Sequence, residues 1–210
     1  MWVYLRVDEW WKPWVNTVAY YKFDWNLNDS SWNSHNMSIY SWTLTYGTES
    51  WWWKYAYFDG VWTNYWERSF DYSWDNTISF WVNYTTNAWF WIEMWKSWTA
   101  FARISSNGIF QFISPNSISA DLAAWNWNLL TQTRSWTTVK CYVNWVYIWW
   151  WTNSVTGTNN TRFKLNNPWD VNSSNYAWSF KMSELLWESK EWTAQEIADY
   201  YNQTKANYWL

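Results

Sequence analysis

The chain has 210 residues, with 14 basic and 17 acidic side chains for a net charge of −3. That length suits one substantial core and one domain. The absence of any Lys/Arg cluster leaves nucleic-acid binding without an electrostatic footprint. Cys141 is the sole cysteine, which excludes an intrachain disulfide and a cysteine-based zinc cluster. On a strand it reads as a small buried hydrophobe. No apolar run approaches the roughly 18 residues of a membrane span, so no span is expected in this chain. Composition is otherwise unusual, with 30 Trp against only 4 Gly, where glycine ordinarily makes up about 7% of residues.

Residues 1–13 show no clear period and read as a linker or N-terminal extension, leaving 14–210 as the domain. Val15–Asp24 reads as a strand with Val18, Tyr20 and Lys22 on one face and Ala19, Tyr21 and Phe23 on the other. A polar loop, 25–35, leads to short strands near Met37–Tyr40 and Thr43–Tyr46, then Lys54–Asp59. Thr77–Tyr84 alternates cleanly, with Ile78, Phe80, Val82 and Tyr84 on the core face. Phe90–Met94, Phe101–Ile104 and Ile109–Ile113 follow, and then an irregular connection from Pro115 to Arg134. Val139–Val143 and Val146–Ile148 flank Asn144-Trp145 as a hairpin, and Arg162–Leu165 and Ser179–Leu186 supply the last strands. Eleven or twelve short strands at this spacing predict an all-β fold, a two-sheet antiparallel jelly roll sandwich. One short C-terminal helix is expected. Thr193-Ala194-Gln195-Glu196 is a capping box, and Ala194, Ile197 and Tyr201 form one stripe that should close the edge of the sandwich.

The tryptophans fall where turns need glycine. Trp32, Trp42, Trp51, Trp74, Trp98 and Trp136 each follow serine. Others lie in turn-forming company, as in Asp24-Trp25-Asn26, Trp125-Asn126-Trp127-Asn128 and Pro168-Trp169-Asp170. A two-residue hairpin loop requires φ > 0 at both central positions, where a side chain with a Cβ costs about 1–2 kcal/mol. Asn107-Gly108 shows the ordinary form of the turn that Asn144-Trp145 distorts, and Asp59-Gly60 ends a strand as Asp24-Trp25 does. Trp14, Trp81 and Trp192 sit in contexts that suit tryptophan. Most of the rest read as displaced glycines, the pattern expected if UGA codons are written as Trp but decoded as Gly. Trp149–Trp151 then becomes a glycine run leaving its strand. The competing reading, an aromatic sugar-stacking surface, requires the rings to share a face, which three adjacent strand residues cannot do.

Catalytic constellations are sparse. A retaining glycosidase needs two carboxyls about 5–5.5 Å apart. Glu93 stands without an acidic residue at the alternate positions of its strand. Glu184 and Glu188 share a face, but they lead into the helix region and read as structural or solvated. His35 is the only histidine, which leaves neither a Ser-His-Asp triad nor a His-based metal centre with support. The chain is expected not to be an enzyme, with no catalytic residue, metal ligand or cofactor assigned and its ligand-binding residues unknown.

With most tryptophans read as glycine, the order of several motifs resembles a LamG-like jelly roll of the concanavalin A-like lectin/glucanase superfamily. The pieces are VAYYKFDWNLNDSSWNSHN, YAYFDGV, TISFWVNY, VKCYVNWVYI and the terminal AWSFKMSELLWESKEWTAQEIADYYN, spread over about Thr17 to Gln203. The tryptophan excess is the departure from that family. The resemblance implies a non-catalytic, lectin-like recognition module that binds a glycan or an extracellular protein, at a cell surface or outside the cell. A structural or adhesive spacer domain is the alternative it leaves open, with a glycoside hydrolase behind it. MWVYLRVDEW lacks the pattern of a signal peptide, which fits either a cytoplasmic protein or, as the resemblance favours, a fragment of a longer secreted one. Relatives of this kind often hold calcium at the rim. Oxygen-rich loops exist at Asp24, Asn26, Asn28 and Asp29 and at Asp170, Asn172 and Asn175, although such loops also form simply as turns.

Overall fold

The computed structural model describes residues 16–39, 44–48, 53–59, 66–70, 75–84, 90–95, 102–104, 109–112, 118–122, 126–152, 161–165, 179–208 and 210. The 1–13 segment, Trp14, the Asn107-Gly108 turn and the Asp170–Asn175 loop lie outside them. The described residues form two antiparallel sheets of a β-sandwich and one C-terminal helix.

Sheet A contains β1 (Thr17–Tyr21), β3 (Thr45–Thr48), β4 (Lys54–Asp59), β6 (Asn76–Tyr84), β11 (Trp127–Ser135), β12 (Thr138–Val143), β13 (Val146–Thr152) and β15 (Ser179–Glu188). Their order is β13-β12-β11-β6-β15-β4-β3. Sheet B runs β10 (Ile118–Asp121), β9 (Ile109–Phe112), β8 (Ala102–Ile104), β7 (Phe90–Trp95), β14 (Thr161–Leu165), β5 (Trp66–Phe70) and β2 (Ser38–Ile39). β15 is central to sheet A and changes partner half-way. Ser179–Met182 pairs with β4, whereas Leu185–Glu188 pairs with β1. A bulge between Ser183 and Leu186 accommodates the change.

The alternation expected in β6 appears at Ile78, Phe80 and Val82, with the Tyr84 side chain outside the described set. In β1, by contrast, Val18 packs against the sandwich core rather than on the Tyr20 side, beside the register shift between Thr17 and Ala19. Ala19, Tyr21, Phe23, Ile78, Phe80 and Val82 join the sandwich core with Phe58, Phe180, Leu185 and Trp187. Cys141 lies there as a fully buried thiol, pushed well up in pKa by that burial, as its reading as a hydrophobe requires.

Three expectations are corrected. The Pro115–Arg134 connection contains β10 and β11, and the second of these is an interior strand of sheet A. β11 is buried on both faces, Leu129 on one and Leu130 on the other, so it shows no apolar–polar alternation to read. Trp127 opens this strand in the core rather than occupying a turn. Trp149–Trp151 does not leave its strand either, because Cys141, Lys140 and Val139 of β12 pair with all three.

The helix α1 (Ala194–Thr204) starts as expected. The Thr193 side chain accepts the Glu196 amide while the Glu196 side chain accepts from the Thr193 N–H. It continues into a 3-10 turn, Lys205–Tyr208. Its buried stripe is Ile197, Tyr200 and Thr204, with Ala194 exposed. It covers the outer face of sheet A, not an edge. Tyr20, Trp81, Trp127, Leu129, Tyr142 and Leu186 form a second core beneath it with Trp192, Ile197, Tyr200 and Tyr208. Trp81 stacks on Tyr208 at 4.2 Å, and its indole N–H donates to Thr204 Oγ1 at 3.1 Å.

Candidate functional site

The β12–β13 hairpin and the start of α1 together form a cleft of about 710 Å³. It is lined by Thr138, Lys140, Tyr142, Tyr147, Trp150, Glu191, Trp192, Thr193 and Ala194. Strand alternation supplies one wall, because Val139, Cys141 and Val143 face the sandwich core and so turn Thr138, Lys140 and Tyr142 to the opposite side. The hairpin turn is the tight form the sequence predicts. Asn144 and Trp145 have φ of 48° and 66°, and the Trp145 indole is half exposed. Asn144 Oδ1 also accepts the Leu129 amide at 2.8 Å, which ties the turn to β11.

The opposite wall is fixed by a buried network. After β15 the chain bends at Ser189–Lys190, and Thr77 Oγ1 donates to the Lys190 carbonyl at 2.7 Å and accepts from the Trp192 amide at 2.8 Å. Glu188 Oε2 accepts from the Trp192 indole at 2.5 Å, and its Oε1 accepts from Thr17 Oγ1 at 3.2 Å. Burial pushes the Glu188 carboxyl up, while the Trp192 and Thr17 donors draw it back. Lys190 pairs with Glu196 in the first helical turn.

Across the cleft, Lys140 Nζ bonds Glu191 Oε1 at 2.8 Å. That bond holds the ammonium above the ordinary lysine range, against a smaller opposing effect of burial. Tyr142 and Tyr147 meet edge to face, with centroids 5.6 Å apart and planes at 64°. Burial raises the Tyr142 phenol, with the Lys140 charge acting the other way. Aromatic walls beside a bonded donor–acceptor pair suit a polyhydroxylated ligand, whose apolar ring face stacks while its hydroxyls bond. Glycoside hydrolysis uses paired carboxyls, and among the described residues Glu191 is the only carboxylate lining this cleft.

The residues singled out in the sequence lie elsewhere. Glu184 and Glu188 share the helix-facing side, as their spacing predicts, but both are buried rather than solvated. Glu93 falls on β7, and its side chain is outside the described set. His35 is half-buried in the 25–35 loop, with its Nδ1 2.8 Å from the Val18 carbonyl. Asp29 organises that loop. Its Oδ1 accepts the Tyr20 and Ser31 amides, each at 2.8 Å, and its Oδ2 accepts from Ser31 Oγ at 2.6 Å and the His35 amide at 2.9 Å. Asn26 Oδ1 accepts the Asn28 amide at 2.8 Å, an Asx turn. Among the described residues, no group of three or more His, Cys, Asp or Glu is arranged to hold a metal ion. The cleft itself was not foreseen. Its sequence signal is the Thr138, Lys140, Tyr142 alternation beside the Glu191-Trp192-Thr193 approach to a capped helix.

No protein-family model and no curated protein sequence matches the chain. Solved structures do match in shape. Domain 4 of AbnA, a GH43 extracellular arabinanase from Geobacillus stearothermophilus solved with arabinotriose, superposes with a TM-score of 0.69 at 20% identity. That match covers 88% of this chain and 97% of the other.

The shared fold is a β-sandwich.

The receptor binding domain of botulinum neurotoxin type G matches with a TM-score of 0.66 at 16% identity, covering 89% of this chain and 51% of that one. A type C botulinum neurotoxin structure, whose cell entry is described as dependent on two ganglioside molecules, matches at 0.64 and 15% with the same coverage of 89% and 51%. The chain therefore spans about half the length of these toxin structures. No helix among the described residues is long and apolar enough to cross a membrane.

Proposed function

We propose that this chain is a non-catalytic recognition module that binds a glycan in the cleft between the β12–β13 hairpin and the start of α1. The observation that carries the reading is the juxtaposition of the Tyr142–Tyr147 corner with the bonded Lys140–Glu191 pair. The fold neighbours support it, since one was solved with arabinotriose and another depends on gangliosides for cell entry. In this reading the chain works at a cell surface or outside the cell, as a LamG-like, concanavalin A-like lectin or adhesion domain of a larger protein. A glycan array on the purified domain, followed by titration of any hit against Tyr147→Ala and Lys140→Ala, tests it. Binding that both variants weaken at least tenfold supports the cleft. Absence of binding at high protein concentration favours the structural or adhesive spacer.

We also propose that most exposed tryptophans occupy glycine positions through UGA decoding. Trp25, Trp136 and Trp145 adopt φ of 72°, 51° and 66°, the left-handed region where a Cβ is strained. All three indoles are exposed, as is that of Trp32, which follows serine. By contrast Trp81, Trp127, Trp187 and Trp192 are buried and fill core volume that glycine would leave empty. The cleft keeps its two tyrosines, its ion pair and Trp192 whichever residue stands at 150. Intact-protein mass decides the matter, because each replacement removes an indole side chain. A mass equal to the written 26.0 kDa would falsify the decoding proposal.

A further inference from the structure

Glu184 lies at the bulge where β15 exchanges β4 for β1. Its φ of 51° is left-handed, a conformation that persists for such a residue only where the surroundings over-determine it. The twist turns the carboxyl under the C-terminal segment, where it is only 3% exposed. Its Oε1 accepts from the Tyr20 hydroxyl at 3.4 Å, and its Oε2 has no hydrogen-bond partner at good geometry among the described residues. β1 presents Tyr20 to it, and Lys22 and Asp24 follow just beyond that strand. α1 presents Tyr200, and the 3-10 turn presents Tyr208. From β15 itself, Ser183 and Glu188 act on the same tyrosines. Tyr200 in turn meets Trp192 edge to face at 5.2 Å and 64°, and Trp192 lines the cleft.

We propose that Glu184 and the tyrosines Tyr20, Tyr200 and Tyr208 form a pH-responsive latch that holds the C-terminal segment on sheet A and, through Tyr200 and Trp192, sets one wall of the cleft. The link to the cleft rests on the binding reading above; the latch itself does not.

A neutral carboxyl is tolerated in this enclosure, whereas an ionised one leaves a charge in an apolar, aromatic surround. Burial accordingly raises the Glu184 carboxyl from 4.5 to about 7, against the opposing pull of the Tyr208 and Tyr20 hydroxyls, the Lys22 charge and the Tyr200 hydroxyl. Once the segment lifts and water reaches the site, the group returns towards its ordinary value. Protonation therefore favours the docked segment, and ionisation favours release. The latch is fully closed below about pH 4.5 and loosens as pH rises through about 7. Between pH 5.5 and 8 the released population should grow roughly 30-fold.

Amide hydrogen exchange on the full chain without ligand tests the latch, with rates corrected for the intrinsic pH dependence. The expected result is that protection of α1 falls on the order of tenfold or more between pH 5.5 and 8, with α1 less protected than the interior strands β6 and β11 at every pH. Glu184→Gln, which preserves shape and removes the titration, should flatten this response. Tyr208→Phe, which removes a hydroxyl whose pull lowers the carboxyl's pKa, should move the transition to higher pH. Protection of α1 that does not change with pH in the unmodified chain overturns the proposal without recourse to any variant. An unchanged slope in Glu184→Gln overturns it equally. Glycan binding that is absent while the α1 response persists refutes the binding reading and leaves the latch standing.

Discussion

The two faces of sheet A are made by the same strands and are chemically unlike. The face turned into the sandwich is lined by Ile78, Phe80, Val82, Leu130, Val139 and Met182, side chains that need nothing but contact. The face under α1 is lined by Tyr20, Trp81, Trp127 and Tyr142 and meets Trp192, Tyr200 and Tyr208 from the C-terminal segment, and every one of these carries a polar tip. Glu184, Glu188 and Thr204 are buried among them. The difference follows from what each face must do. A face made mainly of side chains without polar atoms packs by contact and is indifferent to direction, whereas an aromatic face with hydrogen-bonding tips holds one helix in one place. Both faces contribute burial, and the second adds positional specificity and pH sensitivity.

Adjacent residues of β6 provide the strongest way to break this comparison. Phe80→Ala and Trp81→Ala should each cost about 3–5 kcal/mol, since both side chains are fully buried. Phe80→Ala should lower the urea midpoint of the whole domain with α1 protection retained until global unfolding. Trp81→Ala should release α1 first, seen as early exchange of 197–208. Simultaneous loss of helix and sheet in both variants would mean that the two faces form one cooperative unit.

The next effect is electrostatic. The folded pKa of Glu184 lies above its unfolded value, so its contribution is full below about 4.5 and is lost as pH rises through about 7. The change amounts to about 3 kcal/mol. Chemical denaturation from pH 4.5 to 8 should show that decline, and Glu184→Gln should be the more stable form at pH 8. Stability that rises over this range would contradict the assignment.

A turn outside both cores serves as a control. A chain carrying glycine at 145 should be more stable than one carrying tryptophan there by about 1–2 kcal/mol, the cost of a left-handed side chain, with the same α1 exchange and pH slope. Thermal unfolding of the two chains at two pH values measures both. Smallest is Thr193→Ala, which removes the cap and should cost about 1 kcal/mol. Its effect should be confined to helix protection, and a uniform loss across sheet A would show that the helix face carries more of the stability than its chemistry implies.

Legibility in the sequence follows the same division. β4 and β6 are found almost to the residue because their large apolar residues recur at alternate positions, even though β6 is covered on both faces. β11 is covered on both faces, and its Thr131, Gln132, Thr133 and Arg134 are buried polar residues. Such a stretch resembles a loop until its neighbours are known. β5, Trp66–Phe70, was missed as well, for its WERSF offers no apolar run. The capping box marked the start of α1 because capping is local. Which helix face is buried was misjudged by about one residue, since that depends on where sheet A lies. The cleft was invisible for a related reason. Lys140 and Glu191 are 51 residues apart, and no periodicity joins the end of a β-hairpin to the start of a helix.

The position of β15 bears on how the chain reaches this state. It lies between β6 and β4 and also receives β1, so the last strand to be synthesised completes a sheet begun by the first. The Thr17–Glu188 hydrogen bond spans 171 residues. Until 179–188 has emerged, sheet A is divided into a β13-β12-β11-β6 part, a β4-β3 part and β1, each with a bare strand edge. Such non-local pairing is slow to form, and unpaired edges recruit other chains. Assembly of the domain on the ribosome must therefore wait for β15, and a chain stalled before residue 179 is left with these adhesive edges bare.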